Sequence, residues 1–116
     1  MFIEKIVEVD HNANISGTSL VGHITISYDR LVEAFGEPTY KAEDEGGFEK
    51  VWTEWDLNFV CQDDDGDEDC VKATIYDWKE DGPNASRDNP KYRWHIGGNG
   101  SEAEEAIEMF LEKGLN

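Results

Sequence analysis

The sequence is poor in cations. Ten lysines and arginines stand against 27 aspartates and glutamates in 116 residues, a formal net charge of −17. Such a surface repels phosphate, so nucleic acid and anionic membrane are excluded as direct partners, and a basic protein surface is the complementary one. The commonest basic surface in a cell belongs to a protein that binds DNA or RNA. Apolar runs are short, and none approaches the roughly 20 residues of a membrane-spanning helix. The opening MFIEKIVEVD carries Glu4 and Glu8 and no cleavage site of small residues, so no signal peptide is expected and the cytoplasm is the expected compartment. Cysteine is scarce. Cys61 and Cys70 lack a C-x-x-C spacing, which removes zinc and redox signatures, and cytosolic thiols are usually reduced.

Catalytic motifs are missing as well. His11, His23 and His95 are the candidate acid–base groups, and none lies in a motif such as H-E-x-x-H. His95 alternates with Trp94 and Ile96 in WHIGG, the pattern of a surface or hydrogen-bonded histidine. The GGNG at 97–100 lacks the lysine and the spacing of a phosphate cradle, and Glu102, Glu104 and Glu105 oppose an anion there. No enzyme, no catalytic residue and no cofactor is expected.

Aromatic residues are plentiful: four Trp, four Tyr and five Phe, enough bulk for a core despite the charge. The length fits a single acidic domain over 1–116, burying roughly two thirds of its unfolded surface. Strands are expected at 2–9, 19–26, 51–59, 71–78 and 92–96, with Gly22 marking a bulge or a close backbone approach. Ser27 caps a helix whose apolar face is Tyr28, Leu31, Val32 and Phe35, ended by Gly36 and Pro38. A second helix starts at Ser101 with Glu104 in a capping box, carries the stripe Ala103, Ile107, Phe110 and Leu111, and ends at Gly114. Segments 39–47 and 80–90 read as loops. The fold class is α+β: an antiparallel sheet of four or five strands, with two amphipathic helices packed on one face. The other face, with Glu54, Asp56 and Trp52, is expected to be exposed.

The stretch CQDDDGDEDC at 61–70 packs six carboxylates between two cysteines. The glycine position does not fit an EF-hand loop, and the flanks read as strands, so no metal site is expected. A two-residue turn at Asp65-Gly66 would set Cys61 opposite Cys70. The apolar pattern asks instead for a register shifted by one, through an odd-length loop or a bulge. Both registers, and with them a bridge or two free thiols, stay open from the sequence. Between residues 43 and 81 there are fifteen acids and three lysines, so most of the excess charge lies in this hairpin and its neighbouring loops.

The succession TSLVGHI, LVEAFGEPT, EWDLNF, ATIYDW and WHIGG before a terminal helix resembles a group of small uncharacterised proteins encoded by bacteriophages. The likeness runs from about Thr18 to Leu111, and the long acidic hairpin departs from the shorter one typical of that group. The resemblance implies a phage setting, in which small proteins of anti-CRISPR or anti-restriction type disable host defence, several of them by imitating DNA phosphates with carboxylates. The expected function is therefore a non-enzymatic inhibitor, a DNA mimic, of a basic host protein in the host cytoplasm. The expected contact residues are Glu54, Asp56, Asp63, Asp64, Asp65, Asp67, Glu68 and Asp69, with Trp52 and Trp55 as apolar anchors. The alternatives are an immunity protein or antitoxin for a basic nuclease, and a phage structural or regulatory protein whose acidity serves solubility or high salt.

Overall fold

A computed structural model describes residues 3–46 and 50–114. Its centre is a long hairpin of β4 (Thr53–Gln62) and β5 (Glu68–Tyr76). Strict alternation drives β4: Thr53, Trp55, Leu57, Phe59 and Cys61 are buried without exception, and Glu54, Asp56, Asn58, Val60 and Gln62 are half-buried on the other face. The register sets Trp55 opposite Ile75, Leu57 opposite Ala73 and Phe59 opposite Val71. Matching the two apolar sets thus decides between the two registers the sequence leaves open. An odd-length connection makes the shift possible: Gly66 N–H bonds to Asp63 O, Asp63 N–H bonds to Asp67 O, and Gly66 takes φ +87°. This is a tight turn closed by a residue in the left-handed region, where only glycine is unstrained. Cys61 consequently pairs with Asp69, and Cys70 with Val60. The thiols are free and face opposite sides of the sheet, Cys61 buried and Cys70 exposed.

Three further strands complete an antiparallel sheet in the order β1-β4-β5-β6-β2, with β1 at Lys5–Asp10, β2 at Ser19–Thr25 and β6 at Arg93–Gly98. A two-residue strand, β3 (Tyr40–Lys41), continues the β1 edge by pairing with Glu54 and Thr53. The pairing of β2 slips at Val21, which places Gly22 under the Glu104 side chain; a Cβ there would collide with that carboxylate.

Helix α1 (Tyr28–Phe35) starts where Ser27 Oγ accepts the Arg30 N–H at 3.1 Å. It ends where Gly36, at φ +80°, donates its N–H to Val32 O. It buries Leu31 and Phe35. Helix α3 (Glu102–Lys113) buries Ala103, Ala106 and Ile107. Both lie over the Trp55–Leu57–Phe59 face, where Phe35 stacks on Phe110 at 5.1 Å and Trp55 meets Trp94 edge-on at 5.5 Å. Each such ring pair adds about 0.5–1.5 kcal/mol beyond its area. The indole N–H groups of Trp55 and Trp94 are satisfied by Gly36 O and Ile26 O. Gly98 lets α3 approach β6, since a Cβ there would overlap the Ala103 methyl.

Several expectations need correcting. The segment 39–47 is not a plain loop: β3 is followed by a 3-10 turn at Ala42–Glu45, because Ala42 is buried and its N–H pairs with Trp52 O; Gly47 lies outside the described residues, as does Phe2 of the first strand. The loop at 80–90 contains one helical turn, α2 (Asn84–Arg87). The capping box at Ser101 does not form. Ser101 is already helical in backbone, its hydroxyl makes no cap, and the Glu104 carboxylate lies over Gly22 of β2.

Candidate functional site

The expected contact residues separate into two groups. Glu54 and Asp63 are nine residues apart on one chain direction, about 30 Å at strand rise. Glu54 stands near the open end of the hairpin and Asp63 at its turn, so the two groups lie at opposite ends of it.

At the turn Asp64, Asp65, Asp67, Glu68 and Asp69 are exposed and Asp63 is half-buried. Asp63 organises the turn: its Oδ1 accepts the N–H groups of Asp65 at 3.0 Å and Asp67 at 2.9 Å. Among the described residues no ion pair involves a tip carboxylate; the three ion pairs use Arg30, Lys41 and Arg87. Ligand oxygens of Asp63, Asp65 and Asp67 come within 4.8 Å of one another, close enough to share a cation. The Asp63 oxygen turned to the backbone is already engaged. The acidity is not confined to the tip, since Asp29, Glu33, Glu105, Glu108 and Glu112 are exposed on the helices.

Glu54 and Asp56 sit at the other end, on the face that no helix covers among the described residues. They are half-buried rather than exposed, which corrects the expectation of a wet acidic face. The reason lies in their neighbours. Tyr40 stands opposite Glu54 on one side and Tyr76 on the other, followed in register by His95 and His23. Tyr40, Glu54, Tyr76, His95 and His23 thus form one row across five strands, about 19 Å long. Tyr76 stacks on His95 at 5.4 Å, and His95 meets His23 at 4.7 Å. Burial, then the hydrogen bond and charge of Asp56 and the more distant charge of Asp77, push the Glu54 carboxyl up to about 9, so it is protonated at neutral pH. Asp56 Oδ1 is sealed from solvent with no nitrogen or hydroxyl donor. The Glu54 carboxyl is in hydrogen-bond contact with the Asp56 side chain. His95 Nδ1 is likewise buried without a partner, so the histidine is not the hydrogen-bonded one its strand pattern suggests. Burial and neighbouring His23 lower its pKa, keeping it neutral.

A cavity of about 390 Å³ opens beside Glu54, with Tyr40, Lys50 and Val51 in its wall. The Lys50 and Lys79 ammonium groups lie 5.7 and 5.8 Å from the Trp78 ring centre. Trp52 is half-buried and donates its indole N–H to Glu80 O, and Trp55 is wholly buried. Neither is the free anchor expected of it.

This end is held rigid by Asp77, which is fully buried. Its carboxylate accepts the N–H groups of Trp52 at 2.8 Å and Thr53 at 3.1 Å and the Ser86 hydroxyl at 2.9 Å. Arg87 joins α2 to the same place through Thr53 Oγ1, Trp52 O and an ion pair with Glu43. Sequence reading missed the cross-strand row, the cavity and this network. The row was the accessible one: once the β4–β5 register follows from the apolar pattern, Glu54 and Tyr76 become neighbours.

No protein-family model, curated protein or solved structure matches the chain.

Proposed function

We propose that the protein is a non-catalytic inhibitor that occupies the cationic, nucleic-acid-binding surface of another protein, its hairpin tip standing in for duplex phosphates. The observation that carries this reading is the tip itself. Six carboxylates of residues 63–69 lie in a turn and strand ends about 10 Å deep, and none is neutralised by an ion pair among the described residues. A DNA duplex presents about six charges over the same 10 Å. The resemblance to bacteriophage proteins is the ground for seeking that target among host defence proteins of the CRISPR or restriction type. Binding driven this way is fast, steered at long range and sensitive to salt.

The test is affinity capture from a bacterial host lysate at low ionic strength, elution by a salt gradient, and a duplex-DNA competition on what is eluted. The reading predicts DNA-binding proteins whose complexes with DNA are displaced by the native chain. It fails if a chain with Asp63, Asp64, Asp65, Asp67, Glu68 and Asp69 changed to their amides displaces DNA equally well.

A further inference from the structure

The cavity beside Glu54 lies at the far end of the hairpin from the tip and plays no part in the charge of the tip. Its chemistry points to an occupant. Glu54 and Tyr40 line it, and two residues along the strand from Glu54 stands Asp56, whose Oδ1 is buried without a hydrogen-bond partner. At about 390 Å³ it is near the lower limit of ligand cavities, which run about 300–1,000 Å³, and suits one side chain rather than a folded segment. The cation in its wall, Lys50, leans on the Trp78 ring.

We propose that this cavity receives a single guanidinium-bearing side chain of the basic partner, held by the Glu54 carboxyl and laid against Tyr40. The proposal rests on the reading of the chain as a binder of cationic protein surfaces. Two carboxyls brought together where burial removes water favour a proton on one of them, or a cation between them. A guanidinium offers five N–H donors in a planar fork, matched to carboxylate oxygens, and lies readily against an aromatic ring. When it enters, the Glu54 O–H bond breaks, the proton passes to solvent, and the Glu54 carboxylate faces the cation. The groups that face Glu54 are Asp56 on its own strand, Tyr76 on β5, Tyr40 on β3 and Lys50 in the segment before β4, and the charge of Asp77, just after β5, acts on it from the core side. The high affinity of Glu54 for its proton, up to about pH 9, makes the exchange measurable at neutral pH.

The experiment titrates the full chain with acetyl-arginine amide, using the uncharged isostere acetyl-citrulline amide as control. Calorimetry in two buffers of different ionisation heat counts protons, and NMR locates the shifts. The expected result is arginine-specific binding with shifts at Tyr40 and Glu54, release of about one proton at pH 7, and affinity rising about tenfold per pH unit below pH 9. Glu54→Gln, which imitates the protonated acid and preserves the fold, removes the proton release and weakens binding at least tenfold. The tip-amide chain binds the probe as the native one does, so the cavity and the tip stand or fall separately. Equal binding of the citrulline probe, no proton release, an unaffected Glu54→Gln variant, or shifts confined to residues 63–69 would each overturn the proposal.

Discussion

Glu54 and Asp56 stand two residues apart on the same face of β4, in hydrogen-bond contact through their side chains, and that contact and burial hold a proton on Glu54. A protonated carboxylic acid on a strand of so acidic a protein has a consequence for stability. The Glu54 carboxyl has an ordinary value of 4.5 in the unfolded chain and about 9 in the folded one. Between those values the folded state holds a proton that the unfolded state has lost. Its contribution to stability is therefore complete below about pH 4.5 and declines as pH rises towards 9. Chemical denaturation at pH 5, 7 and 8.5 will show a falling midpoint for the native chain. Glu54→Gln will flatten the slope. An unchanged slope would mean that Glu54 ionises normally.

The Asp77 carboxylate takes three hydrogen bonds, and its removal leaves the Trp52 and Thr53 N–H groups without an acceptor. Asp77→Ala is expected to destabilise by about 2–4 kcal/mol, since a buried donor left unpaired costs its full desolvation. Ser86→Ala, which removes one neutral donor, will cost about 1 kcal/mol. Urea midpoints order the two.

Gly98 and Gly82 give opposite expectations for the same change. A Cβ at Gly98 meets the Ala103 side chain and Lys72 O, so Gly98→Ala will push α3 off β6 and cost about 1–3 kcal/mol. Gly82 has open space around it and no positive φ, so Gly82→Ala is expected to be neutral or to stabilise by about 0.4–1 kcal/mol. Thermal midpoints of the two variants check both.

Cys61 and Cys70 will behave as two independent thiols. Cys70 is exposed and will react with a thiol reagent in the folded protein. Cys61 is buried, and desolvation holds its thiol up at about 11, so it will react only as the chain unfolds. A mild oxidant will not close a bridge within the folded chain. One fast and one unfolding-limited reaction is the expected count, and an intramolecular disulfide formed under native conditions would contradict the register.

The fold was legible wherever local pattern and burial act together. Thr53 to Cys61 announce a strand by alternation, Ser27 announces a helix start, and the need to match Trp55, Leu57 and Phe59 with Val71, Ala73 and Ile75 favours the register that forms. Contacts distant in sequence were not legible. Asp77 finds Ser86 and Trp52, and Arg87 finds Glu43, only after the chain has folded. The capping box at Ser101 has the right letters, yet the Glu104 carboxylate lies over Gly22 on a strand about eighty residues away. The tip charge could be read from composition alone. The protonation of Glu54 could not, because it depends on Tyr40 and Tyr76 closing over it.

The most direct measurement of the central claim is the salt dependence of binding to a captured partner, compared between the native chain and the tip-amide chain. The logarithm of the binding constant is plotted against the logarithm of salt concentration from about 50 to 200 mM. The account predicts a steep negative slope for the native chain and a much shallower one, with weaker binding at low salt, once residues 63–69 are neutralised. Equal slopes and equal affinities for the two chains would contradict it.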